Sequence, residues 1–123
     1  MRESILRDKA FAFAIRSIKL YQYLVGEHKE FILSKQVMKS GTSIGANVEE
    51  PSHAQSRVDF VHKLSIAQKE ACETNYWIRL LRDTGYVNAK LAESLLSDCE
   101  ELQKLLTSSI KTAKRNISER TQE

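Results

Sequence analysis

Apolar residues recur at intervals of three and four along this chain, the spacing that sets side chains on one face of an α-helix. They do so in four blocks. The first, residues 5–25, carries two stripes: Phe11, Ile15, Ile18 and Val25 on one, and Leu6, Phe13, Leu20 and Leu24 on the other. Gly26 follows and suits a helix C-terminal cap. The second block runs over 29–50 through Leu33, Val37, Ile44 and Val48, and Pro51 opposes its continuation. Ser56, three residues before Asp59, offers a hydroxyl to the backbone N–H groups that open a third helix over 57–84. That helix follows Val61, Leu64, Ala67, Ala71, Ile78 and Leu81 to a stop at Gly85. Asn88 caps the fourth, 89–115, whose apolar set is Leu91, Leu95, Cys99, Leu102, Leu106, Ile110, Ala113 and Ile117, with a frayed tail expected over 116–123. Short connections return each helix antiparallel to the one before it. The expected fold is all-α: one up-down-up-down four-helix bundle spanning 1–123.

The apolar arc of the first helix is too wide for such a bundle. Its two stripes cover roughly 220° at 100° per residue, against the ~100° that a bundle helix needs. Tyr76, Trp77 and Ile78 are adjacent, so they point in three directions and cannot share one core. Burying each such side chain is worth about 1.5–3 kcal/mol. The pattern therefore predicts a homo-oligomeric ring, with Phe13, Leu20, Leu24, Tyr76 and Trp77 as the candidate interface.

Composition narrows the class. The 123 residues are 41% hydrophobic and 28% charged, with four glycines and one proline, which excludes disordered and collagen-like chains. No stretch is apolar enough to span a membrane, and the first residues lack a signal-peptide run, so a soluble cytoplasmic protein is expected. Two cysteines, Cys72 and Cys99, are too few for a disulfide scaffold or a cysteine zinc cluster. The formal charge is +3, and the basic excess lies within residues 1–47.

Residues 40–47, Ser-Gly-Thr-Ser-Ile-Gly-Ala-Asn, are unusual for a helix because each glycine costs about 1 kcal/mol relative to alanine. Small side chains let two helices approach closely, and Ser43 and Asn47 share a face from which they would bond across the contact. There is no Gly-Lys-Ser/Thr ending to make a phosphate-binding loop. On the third helix, Lys63, Glu70, Glu73 and Trp77 share a face with Lys69 beside them, forming with Asn47 or Glu50 either a buried polar network or a solvated surface. Glu50 and Asp59 each precede a histidine, His53 and His62, by three residues, resembling half of a di-metal carboxylate site. Pro51 breaks the helical geometry of the first pair, and the two pairs occur in succession on the chain. No serine or cysteine has an identifiable base, so neither catalytic residues nor a cofactor are expected.

The stretch from Gln36 to Leu81 resembles the signature of a bacterial four-helix-bundle family first noticed as the product of intervening sequences in 23S ribosomal RNA genes, S23 ribosomal protein-like. The resemblance rests on Ser43-Ile44-Gly45-Ala46-Asn47, then Glu50, Ser56, Phe60, Lys63-Leu64, Ala67, Lys69-Glu70-Ala71, Glu73 and Tyr76-Trp77. Pro51 stands where that family usually has a small residue or glycine. The resemblance implies a bundle assembled as a five-membered ring, and no established enzymatic activity. A related branch, the accessory proteins of diversity-generating retroelements, uses a basic ring surface to bind nucleic acid and a reverse transcriptase.

The leading functional expectation is a non-catalytic protein that binds RNA or DNA through its phosphate backbone. Lys9, Arg16, Lys19 and Tyr23 on the first helix are candidates, with Lys104, Lys111 and Arg115 on the last. Repetition by symmetry would add several weak phosphate contacts into useful affinity. The alternatives are a structural or protein-interaction module and, more remotely, a carboxylate and histidine metal protein.

Overall fold

A computed structural model describes residues 2–49 and 56–122. Four helices follow one another: α1 (Arg2–His28), α2 (Leu33–Glu49), α3 (Arg57–Asp83) and α4 (Ala89–Gln122). α1 packs on α2, α2 on α3 and α3 on α4, and α4 closes the circuit against α1. The expected up-down bundle is the observed one.

The helix ends are set by local chemistry, and two differ from expectation. Gly26 lies inside α1; the left-handed residue that follows this helix is Lys29, at φ 52°, with its Nζ donating to the Gly26 carbonyl. α2 begins at Leu33 rather than 29 because the Glu30 carboxylate caps it. Glu30 Oε2 accepts from the Ile32 and Leu33 N–H groups at 3.2 and 3.0 Å, and Oε1 from Ser34 N–H at 2.7 Å. Burial pushes the Glu30 carboxyl upward, but these backbone donors together outweigh it and hold the group below its ordinary value. The predicted end of this helix at Glu50 lies outside the described residues.

Ser56 caps α3 as expected, its hydroxyl accepting from Asp59 N–H at 3.1 Å. Gly85, at φ 84°, ends it, and Tyr86 N–H reaches back to the Leu81 carbonyl at 2.9 Å. Asn88 Oδ1 accepts from Leu91 N–H at 2.8 Å to open α4. That helix persists to Gln122, correcting the frayed tail expected from 116. Its apolar spacing continues through Ile117, and no glycine or proline follows.

The core corrects the predicted interface. Phe13, Leu20 and Leu24 are buried within a single copy, with Phe13 only 2% exposed, among Leu6, Ile44, Leu64, Ile78 and Leu102. The other stripe of α1 faces outward, with Phe11 65%, Ile15 42% and Ile18 41% exposed. The inward stripe wins because the small residues between its large ones, Ala10 and Ser17, fit against the glycines of α2. An added Cβ on Gly45 would sit 3.5 Å from the Ala10 carbonyl oxygen, and one on Gly41 would collide with Ser17. The surplus of apolar surface is real, but on α1 it belongs to the opposite side, while Tyr76 of the expected interface is exposed on α3.

Candidate nucleic-acid interface and polar cluster

The seven basic and aromatic candidates fall in three places rather than the two expected. On the α1 side, Lys9 Nζ pairs with Glu101 Oε1 at 3.0 Å, and Arg16 pairs with Asp98 Oδ2 at 2.8 Å while also donating to the Ser94 carbonyl. These two cations are locally compensated by α4 and add little to a positive patch, although such exposed pairs contribute only about 0–1 kcal/mol. Lys19 and Tyr23 line a groove of about 330 Å³ with Arg16, Leu20, Leu91 and Leu95. Tyr23 Oη lies 3.0 Å from His28 Nε2, and the His28 ring meets Tyr23 and Tyr86 edge-on.

Lys104 and Lys111 flank a second groove, of about 540 Å³, between α3 and α4 with Gln68, Gln103, Thr107 and Ser108. Gln68 Nε2 donates to the Gln103 carbonyl and to Thr107 Oγ1, which leaves its buried Oε1 without a partner. Arg115 lies instead on a cavity of about 290 Å³ with Arg57, Phe60, Ser109, Thr112 and Asn116. At 100° per residue, Lys104, Lys111 and Arg115 still fall within ~40° of one another around α4. They form one basic edge on that helix.

The polar cluster is arranged differently from the sequence expectation. Ser43 Oγ donates to the Lys39 carbonyl at 2.7 Å and Asn47 Nδ2 to the Ser43 carbonyl at 2.8 Å. Both are bonded to their own helix, not across to a neighbour, because a carbonyl one turn back is always within reach of a short side chain. A bond that does cross is buried: the Thr74 and Ser40 hydroxyls lie 2.8 Å apart, and Thr74 Oγ1 donates to the Glu70 carbonyl at 2.7 Å. Neither partner was singled out by the sequence, although Ser40 falls in the small-residue run.

Glu70 is half-buried on α3. Burial and the neighbouring Glu73 push its carboxyl above the ordinary value, against the opposing pull of Lys69 and of Lys39 on α2. Glu73 and Lys69 are exposed, and Lys63 is half-buried. Trp77 packs partly against the core and meets the exposed Tyr76 edge-on at 5.2 Å, with Arg79 over the Tyr76 ring. Ser56 acts as the cap described above. Glu50 and His53 lie outside the described residues. Among the described residues, no three His, Cys, Asp or Glu side chains come together as a metal site.

This geometry is that of a known family. Residues 2–108 match the model of the 23S rRNA-intervening sequence protein. The chain belongs to that family. It is also similar to the crystal structure of a protein with unknown function from the S23 ribosomal protein family of Bacteroides thetaiotaomicron VPI-5482. The two are 51% identical over 90% of this chain and 99% of that chain, with a TM-score of 0.89. No protein of curated function matches. The family match covers the polar cluster and Lys104 but stops before Ser109, Lys111 and Arg115. No helix among the described residues is long and apolar enough to cross a membrane.

Proposed function

We propose that this protein acts without catalysis, as a homo-oligomer whose repeated basic edges hold the phosphate backbone of RNA or DNA. The observation that carries this reading is the basic edge of α4, where Lys104 and Lys111 flank an open groove and Arg115 continues the line. Phosphate contacts from such an edge are sequence-tolerant, and each is weak alone. The exposed Phe11, Ile15 and Ile18 stripe supplies the surface through which copies associate. The family resemblance suggests five copies, and a ring multiplies each basic edge by its symmetry.

Fluorescence anisotropy with structured RNA and with duplex DNA tests this, across a range of salt. Affinity should fall steeply with salt, and Lys104→Glu/Lys111→Glu should lose most of it while leaving the sedimentation coefficient unchanged. Affinity no better than tens of micromolar at low salt would defeat the reading. A second reading, a protein-interaction module, draws on the exposed Tyr76 with its Trp77 and Arg79 neighbours. Capture of a partner that survives nuclease treatment and is lost in Tyr76→Ala would favour it.

A further inference from the structure

Ser109 lies on the inner edge of α4, 7% exposed, and its hydroxyl has no hydrogen-bond partner. Other hydroxyls in these helices return to the carbonyl one turn back, as those of Ser17, Ser43, Ser65 and Thr107 do. A buried hydroxyl left out of that pattern calls for a partner from elsewhere. Ser109 lines the cavity of about 290 Å³ between the first turn of α3 and the C-terminal half of α4.

The rest of the lining says what kind of partner fits. Arg57 and Arg115 both open onto it, and neither is paired with a carboxylate among the described residues, whereas Lys9, Arg16 and Arg82 are all paired. Asp59 and Glu119, the acids closest to them in sequence, do not line it. Arg57 is also the first residue of a 27-residue helix, at the end where the macrodipole is positive. Two guanidinium forks, a hydroxyl and the Asn116 amide are the donors that recognise a phosphate group. Phe60 and Ala113 add an apolar wall, suited to the organic part of a phosphate ester. The volume is at the low end for ligand pockets, too small for a strand of nucleic acid.

We propose that this cavity binds a small phosphate ester of nucleoside-monophosphate size, its phosphate between Arg57 and Arg115, toward which the enclosed Ser109 hydroxyl turns to donate, and its organic part against Phe60. The site stands independently of backbone binding along α4 and shares only Arg115 with it.

Calorimetric and amide-NMR titration of the full chain with adenosine monophosphate, inorganic phosphate and adenosine tests the proposal. The monophosphate should bind with a Kd below about 1 mM, shifting the amides of Phe60 and Ser109. Phosphate alone should bind more weakly at the same amides, and adenosine not at all. Ser109→Ala, which removes only an unpaired hydroxyl and so preserves the fold, should weaken monophosphate binding about tenfold. Arg57→Gln/Arg115→Gln should abolish it. Lys104→Glu/Lys111→Glu should leave it intact while losing RNA, which separates this site from the backbone-binding edge. Absence of shifts at Phe60 and Ser109, equal binding of adenosine, or unchanged affinity in Ser109→Ala would each overturn it.

Discussion

Gly41 of α2 and Ser17 of α1 share one spot at the crossing of their helices: a Cβ on Gly41 would stand 2.7 Å from the Cβ of Ser17. Gly45, one turn on, is less tightly held, its nearest neighbour being the Ala10 carbonyl oxygen at 3.5 Å. The two glycines therefore answer the same substitution with opposite signs. Gly45→Ala should stabilise the protein by about 0.5–1 kcal/mol through helix propensity. Gly41→Ala should destabilise it by about 1 kcal/mol net, since overpacking costs about 1–3 kcal/mol and propensity returns only part of that. Urea denaturation of both variants measures the difference, and equal shifts would show that the crossing is looser than described.

Glu30 should give the protein an acid-sensitive helix start. Its folded-state value is lowered, so its contribution is complete above the ordinary carboxyl value of 4.5 and disappears as pH falls through the lower, folded-state value. Glu30→Gln should cost about 1 kcal/mol at neutral pH, and the two proteins should converge on acidification. Glu70 has the opposite sign. Its value is raised, so ionising it above that value disfavours the fold, and Glu70→Gln should be neutral to stabilising by about 0.5 kcal/mol at neutral pH. Thermal melts from pH 3 to 8 report both.

Two phenylalanines two positions apart should fail in different ways. Phe13→Ala opens a cavity in the core and should cost about 3–5 kcal/mol. Phe11→Ser, on the exposed stripe, should leave the helical content intact and reduce the mass measured by analytical ultracentrifugation. A wild type that sediments as a monomer at micromolar concentration would remove the basis for assembly.

The two thiols should separate cleanly. Cys72 is exposed, whereas Cys99 is buried, donates to the Ala71 carbonyl at 3.2 Å, and is pushed up to about 12 chiefly by burial. A thiol reagent at neutral pH should modify Cys72 at once and Cys99 only at the rate of unfolding. Rapid double labelling would place Cys99 in a mobile part of the bundle.

Periodicity and the run of small residues sufficed to read the bundle, the Ser56 and Asn88 caps and the close approach at Gly41, whereas the contact at Gly45 is an ordinary one. It could not decide which half of the α1 arc faces inward, because both stripes are apolar and the choice depends on the glycines of another helix. It also missed Glu30, since a carboxylate capping from a non-helical turn leaves no periodic trace. The pairing of Lys9 and Arg16 with Glu101 and Asp98 was equally hidden, for it joins residues more than eighty positions apart. Ser109 and Arg57 were overlooked because a missing hydrogen bond is a property of space, not of sequence.

The bundle is not laced equally all round. α1 meets α4 over the thinnest of its four seams, with the Lys9 and Arg16 pairs set in solvent there. Screening by salt weakens those pairs first. The molecule is thus built like a scroll fastened along one edge, and heat or high ionic strength should unroll it from that edge while α2 and α3 keep their amide protons longest.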